Sequence, residues 1–225
     1  DVYKRQGVAK PMIPVGGRPF LEWQLEWLRR EGVEEVVLSL GYRAEEIEGH
    51  FRVERVKGVR VRWVKEEEAL GTGGGARLAA HVVETAWCVV CNGDSLCPAG
   101  LGALRDAARR EGVEVVMLVC EVDDVRDYGS VIVGEGGMVE GFVEKGSAAG
   151  RGVVNAGVYY VRTMWLRGLA ERVPLSLERE VFPVMRQGQL WAVRADVPFL
   201  DIGVPERLMA AEAFIQKWVA GRECV

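Results

Sequence analysis

"PFLEWQLEWLRREGVEEVVLSL", residues 19–40, contains two periodicities in one run. Leu21, Leu25 and Leu28 recur at helical spacing behind Pro19, and Gly32 supplies the stop. "EEVVLSL" follows, apolar without alternation, which is the pattern of a short buried strand. The alternation then continues outward. "AEEIEGHF" (44–51) reads as a brief helix, and "VRVRWV" (59–64) as a half-buried strand nearer an edge. "GGGARLAAHVV" (73–83) becomes a helix, and "AWCVVCNGD" (86–94) a buried strand ending in an aspartate. Ala99 to Glu111 reads as a helix and "VEVVMLVCEV" (113–122) as a strand. Strands alternating with helices predict an α/β fold, a mostly parallel sheet with helices on both faces.

After Tyr128 the rhythm changes. "GSVIVGEGGMVEGFVEK" (129–145) predicts a hairpin turning at Gly134–Gly137, and "VVNAGVYYV" (153–161) a further strand. Helices are expected over Thr163–Arg172 and Ser176–Gln187, a strand at "QLWAVRA" (189–195) and a last helix over Pro205–Trp218. No internal repeat or linker interrupts the chain. One domain over residues 7–220, with an inserted β-rich lobe, is the expectation.

Composition narrows the function. The 225 residues are 49% hydrophobic and 28% charged, with a net charge of -4. No basic run or basic amphipathic helix speaks for nucleic acid or a membrane surface. The apolar runs are much shorter than the roughly 20 residues of a membrane span. The first residues carry no apolar signal-peptide core. The five cysteines are Cys88, Cys91, Cys97, Cys120 and Cys224, an odd number, mostly in strand-like runs. Reduced buried thiols in a cytoplasmic protein are expected. Cys88 and Cys91 form C-x-x-C, but strand positions three apart face opposite ways. Only His50 and His81 are present, which disfavours a Ser-His-Asp hydrolase.

Several residues have the chemistry of a site. Asp94 stands at the carboxyl end of a strand, where α/β sheets bind ligands. Behind Gly93, its oxygens suit magnesium, although a helix cap or turn uses the same residue. Asp201, in "FLDIGVPE", is a second strand-end aspartate that either enters the helix or shares a metal with Asp94. "EEEALGTGGGARLA" (66–79) is neither a Walker A motif nor a Rossmann fingerprint. Its glycines allow a ligand against bare backbone at a helix N-terminus, or simply form a flexible loop. Glu144 and Lys145 end a hairpin strand. Adjacent strand residues face opposite ways, so at most one enters a pocket unless the strand ends there. Asn155 lies in an apolar strand and needs partners, either backbone or a ligand hydroxyl. Lys10 sits between Ala9 and Pro11, ahead of a glycine pair and the first helix.

Taken in order, "KPMIPVGGRPFLEWQLEWL", "EEEALGTGGGARLA", "VVCNGDSL", "YGSVIV", "VEGFVEKG", "VNAGVYYV", "SLEREVFPVM" and "FLDIGVPE" resemble successive blocks of sugar-1-phosphate nucleotidylyltransferases. The resemblance is greatest to the guanylyltransferases acting on heptose or mannose 1-phosphate, the heptose type nearest. It implies a Rossmann-like three-layer fold with a small β-rich sugar-binding lobe. It also implies nucleotidyl transfer from an NTP, GTP favoured, to a sugar 1-phosphate, with release of pyrophosphate and with Mg2+ as cofactor. A cytoplasmic role in polysaccharide biosynthesis follows, with no nucleic acid or membrane partner. Oligomeric state stays open. Uridylyl or thymidylyl transfer to a hexose or N-acetylmuramate 1-phosphate is the alternative base choice. An inactive sugar-nucleotide-binding regulator is the alternative class.

The resemblance also implies roles for single residues. Lys10 helps bind and neutralise phosphates. Gly71, Thr72 and Gly73 approach base and ribose, with Gly93 also on the nucleotide side. Asp94 and Asp201 are the metal ligands, Asp94 acting with Lys10 in catalysis. Gly129, Glu144, Asn155 and Gly157 form the sugar pocket, and Lys145 contacts the sugar phosphate. At a strand end, Glu144 and Lys145 can both face one site. Members of the family carry a short apolar strand and a loop of roughly G-G-x-G-T-R-L ahead of the Lys-Pro motif. "DVYKRQ", residues 1–6, does not resemble it. The expectation is a chain truncated at its N-terminus behind a foreign leader, lacking the first central strand and impaired in catalysis.

Overall fold

The computed structural model describes residues 7–54, 56–172 and 174–220. The leader reading of residues 1–6, like Cys224, lies outside the described residues. In chain order the elements are β1 (Pro14–Val15), β2 (Arg18–Pro19), α1 (Phe20–Arg30), β3 (Glu35–Leu40), α2 (Ala44–Val53), β4 (Arg60–Lys65), α3 (Gly71–Ala80), β5 (Trp87–Cys91), β6 (Ser95–Leu96) and α4 (Gly102–Ala107). They continue with β7 (Val115–Val122), β8 (Ser130–Val133), β9 (Val139–Val143), β10 (Gly152–Arg162), α5 (Thr163–Arg167), β11 (Leu190–Arg194), β12 (Leu200–Asp201) and α6 (Pro205–Ala220). Among the described residues no helix is long and apolar enough to cross a membrane.

The chain forms two compact units. Among the described residues the first runs to Ala69 and adds Gly93–Pro98 and residues 199–220. In it β3 and β4 pair in parallel, Glu35 opposite Arg60. The stripe expected of α1 is there: Leu21, Leu25 and Leu28 are buried, and Phe20 and Trp27 join them. Leu21 and Leu25 pack with Leu40, Ile47 and Phe51 in one apolar cluster. Each such side chain contributes about 1.5–3 kcal/mol by leaving water. Buried Gln24 donates to the Ser95 carbonyl at 2.6 Å, tying α1 to β6.

The second unit holds Leu70–Asn92 and Ala99–Pro198. Its sheet is six-stranded, in the order β11-β7-β10-β8-β9, with β5 also on β10. Val115–Cys120 of β7 are buried without alternation, as a strand covered on both faces requires. Only β11 runs parallel to β7. β10 is antiparallel to β5, β7 and β8. The α/β class therefore stands, but the strand direction in this unit is mixed rather than mostly parallel. The cause is β10, which enters antiparallel between β7 and β5. The hairpin expected at Gly134–Gly137 is present as β8 and β9.

Three helices are shorter than their sequence pattern. After α4 the N–H groups of Arg109 and Arg110 bond three residues back, and the chain turns at Gly112 with φ +77°. α5 stops at Gly168. The expected helix over 176–187 is one wide turn, Leu177–Val181, followed by a tight turn at Phe182–Val184. In the wide turn the Val181 N–H reaches the Ser176 carbonyl. Pro183 has no N–H with which to continue an α-helix.

Cys88 and Val90 face the main apolar cluster, so Cys91 takes the opposite side of β5. Burial pushes the Cys91 thiol up to about 12, and neighbouring Cys88 adds to the effect. Since the thiolate is the nucleophile, Cys91 is expected to resist iodoacetamide in the native protein at about pH 8 and to react after unfolding in urea. Mass spectrometry of the labelled peptides checks this; native labelling of Cys91 at the rate of a free thiol contradicts it.

Candidate active site

In the first unit a tight turn, Lys10–Met12, presents Lys10. Pro11 fits its first turn without losing a bond, and Met12 N–H closes on the Ala9 carbonyl at 2.8 Å. A Cβ on Gly93 would lie 3.2 Å from Pro11 Cγ, so the bare backbone there lets the Lys-Pro turn come close. Lys10 Nζ then donates to Asp94 Oδ2 at 3.1 Å, with the lysine side chain 24% and the aspartate side chain 33% exposed. The two groups most suited to phosphate and metal are thus paired, though 84 residues apart in sequence.

β12 brings the backbone around Asp201 against that of Asp94. Asp201 lies opposite Ser95 in the β6–β12 ladder, and the Ile202 N–H donates to the Asp94 carbonyl at 2.9 Å. Asp94, in the turn just ahead of β6, and Asp201, in β12, therefore flank one short ladder. Asp201 Oδ2 accepts from Arg207 Nη1 at 2.6 Å, and its Oδ1 accepts from the Gly203 N–H. A Cβ at Gly203 would lie 2.6 Å from Asp201 Oδ1 and would push the carboxylate aside. Arg207 escaped the sequence reading. Its position two residues into α6 looks like an ordinary surface arginine until Asp201 is seen one turn away. By donor chemistry the Asp94 and Asp201 carboxylates fit Mg2+, which takes hard oxygen ligands, with the Asp201 oxygens also accepting from Arg207 and Gly203.

The second unit carries the remaining residues. In the glycine loop the structure gives the glycines an internal use. Gly71 has φ +77°, and a Cβ there would lie 2.5 Å from the Leu175 carbonyl oxygen. The Gly73 and Gly74 N–H groups both point at that same oxygen, at 2.8 and 3.4 Å. The start of α3 is thus capped from within the chain instead of lying open along its whole edge. Thr72 Oγ1 donates to Glu178 Oε2 at 2.6 Å and accepts from the Leu177 N–H at 2.9 Å.

The residues that the resemblance assigns to the sugar lie on or beside the ends of three neighbouring strands. Ser130 of β8 pairs with Val143 of β9 and with Val154 of β10. Those registers bring Gly129, Glu144 and Asn155 side by side. A Cβ at Gly129 would be 3.3 Å from the Val143 carbonyl oxygen. Glu144 and Lys145 follow the last residue of β9 and are exposed. The strand does end there, so the alternation that would separate them no longer applies.

Asn155 sits at a bulge. Between Asn155–Val119 and Tyr159–Met117, three residues of β10 face one of β7, Leu118. Gly157 absorbs the extra length at φ +70°. Its N–H donates to Asn155 Oδ1 at 2.9 Å, and Asn155 Nδ2 donates to the Tyr159 hydroxyl at 2.7 Å. Asn155 is thus tied to backbone and to a buried tyrosine. Burial, then the Glu178 charge, raise the Tyr159 phenol well above its ordinary range, so it stays protonated.

Residues 6–217 match the nucleotidyl transferase family. The chain is 30% identical over 199 residues to a D-glycero-alpha-D-manno-heptose 1-phosphate guanylyltransferase of Campylobacter jejuni, covering 88% of this chain and 87% of that protein. It is 32% identical over 218 residues to a mannose-1-phosphate guanylyltransferase of Mycobacterium tuberculosis, covering 94% of this chain. It spans only 60% of that relative's length. The crystal structure of HddC from Yersinia pseudotuberculosis superposes with a TM-score of 0.82 at 30% identity, covering 94% of this chain and 90% of that one. The same protein has been solved with GMP-PN. A likeness of that extent carries the α/β fold read from the sequence. With a match running through almost every described residue, the chain belongs to the nucleotidyl transferase family.

Proposed function

We propose that the chain transfers a guanylyl group from GTP to a heptose or mannose 1-phosphate. A phosphate oxygen of the sugar phosphate attacks the α-phosphorus, the bond from that phosphorus to the bridging oxygen breaks, and pyrophosphate leaves. The observation that carries the reading is the Lys10–Asp94 pair at 3.1 Å, on backbone laddered to Asp201. It sets a cation for phosphate oxygens beside carboxylates for a divalent ion. Phosphoryl transfer asks for positioning and charge neutralisation more than for covalent chemistry. The names of the guanylyltransferase relatives support the choice of base and sugar class.

Lys10 holds and neutralises phosphate oxygens. Asp94 and Asp201 would hold Mg2+, which supplies charge neutralisation on the nucleotide phosphates when bound. Gly71, Thr72, Gly73 and Gly93 form the nucleotide side. Gly129, Glu144, Asn155 and Gly157 orient the sugar, and Lys145 meets its phosphate.

Pyrophosphate release tests the reading, with GTP, UTP or dTTP offered against mannose 1-phosphate and heptose 1-phosphate. Turnover that depends on GTP and Mg2+ is the expected result. No release with any pair, or preference for a pyrimidine nucleotide, overturns it. Titration with Mn2+ followed by electron paramagnetic resonance tests the ion site separately. Asp94→Asn is expected to weaken Mn2+ binding; unchanged binding removes Asp94 from the site.

A further inference from the structure

Glu178 was not singled out by its sequence neighbourhood, yet three other segments of the second unit and its own Ser176 converge on its carboxylate. Oε2 accepts from Thr72 Oγ1 at 2.6 Å and from Ser176 Oγ at 3.1 Å. Oε1 accepts from the Tyr159 hydroxyl at 3.0 Å and from Asn92 Nδ2 at 3.4 Å. A carboxylate has about four lone-pair sites, and these four neutral donors use them all. The residue is carried on the wide turn Leu177–Val181, a geometry that recurs at functional sites.

The two oxygens face different duties. Oε2 holds Thr72, in the loop assigned above to the nucleotide. Oε1 holds Tyr159, whose hydroxyl in turn accepts from Asn155 Nδ2. Asn155 Oδ1 is fixed separately by the Gly157 N–H. These contacts settle which way the Asn155 amide points. They use one of its two N–H groups and one lone pair of Oδ1. Packing alone does not require this arrangement, because an apolar side chain would join the segments without the cost of desolvating a carboxylate.

We propose that Glu178 is a positioning residue for substrate recognition. Through Tyr159 it sets the orientation of Asn155 toward the sugar, and through Thr72 it ties that setting to the nucleotide loop. The inference rests on the guanylyltransferase reading and deepens it.

Tyr159→Phe is the sharpest test. It keeps the ring, which packs 5.0 Å from Phe182 between centroids, and removes only the hydroxyl that joins Asn155 to Glu178. The expected result is a rise of about tenfold in KM for the sugar 1-phosphate, the worth of one well-placed hydrogen bond, with KM for GTP within about twofold of the unaltered chain. Glu178→Gln removes the charge and one of the two acceptor oxygens that join the halves, so both KM values are expected to rise while kcat falls less. Thermal melts of each variant exclude loss of fold as the cause. If Glu178→Gln does not fold, Tyr159→Phe alone decides. An unchanged sugar KM in Tyr159→Phe, or equal rises for both substrates, overturns the inference. Absence of turnover in the unaltered chain overturns the functional reading itself, so the two failures are distinct.

Discussion

Replacing Lys10 with glutamine is expected to lower kcat/KM for guanylyl transfer by about a hundred- to a thousandfold, the loss seen when one group that stabilises transition-state charge is removed. The fold should survive. Lys10 and Asp94 are each partly exposed, and an ion pair of that kind contributes at most about 1 kcal/mol. Asp94 keeps a second contact, from Ser95 Oγ at 3.3 Å. Melting within a few degrees of the unaltered protein, with activity nearly lost, is therefore the expected pair of results. Pyrophosphate-release kinetics and a thermal melt on one preparation read both. Undiminished turnover would remove Lys10 from the chemistry. An arginine at this position should rescue little, because its planar fork does not present a compact charge along the same path.

The second large effect is on stability, at Gly71. An alanine there places a methyl 2.5 Å from the Leu175 carbonyl oxygen and 3.0 Å from both the nitrogen and the carbonyl carbon of that residue, at φ +77°. The obstacle is backbone, and it is held on both sides. Leu175 N–H donates to the Leu70 carbonyl at 2.8 Å, and Leu175 O accepts from Gly73 N–H at 2.8 Å. Left-handed strain of about 1–2 kcal/mol and overpacking of about 1–3 kcal/mol add to about 2–5 kcal/mol. Gly112 separates the two terms. It shares φ +77° but has nothing within 4 Å of its added methyl. Gly112→Ala should thus cost only the strain, about 1–2 kcal/mol. Urea denaturation of both variants measures the difference. Equal midpoints would mean that the contact with Leu175 yields freely.

Local pattern was a good guide wherever one element could be read against its own period. The Leu21, Leu25, Leu28 stripe, the continuous apolar run of β7 and the glycine turn of the β8–β9 hairpin all lie within a few residues of where the periodicities put them. Each depends on interactions between near neighbours, which the order of residues states directly. Helix ends were less legible. Pro183 and Gly168 lie inside helices expected over 176–187 and 163–172, and how soon the chain leaves each helix depends on what it packs against.

The site divides in the same way. Asp94, Asp201, Lys10 and the glycine loop stand out because strand ends, a Lys-Pro turn and clustered glycines are local signals. Their meaning is not local. Lys10 and Asp94 meet across 84 residues, and Thr72 and Glu178 across 106. Glu178 carries no mark in "SLEREVFPV", where three acidic or basic residues follow one another like a solvated face. Arg207 carries none either. Hydrogen-bond geometry is fixed to tenths of an ångström, and apolar periodicity specifies only which face is buried. The order of residues therefore set most element types, the α/β class and the chemical identity of the side chains proposed to meet phosphate and metal. Strand direction around β10, the bulge that turns Asn155, the capping of α3 by Leu175 and the four donors on Glu178 came from folding, because each needs partners that only long-range packing brings within reach.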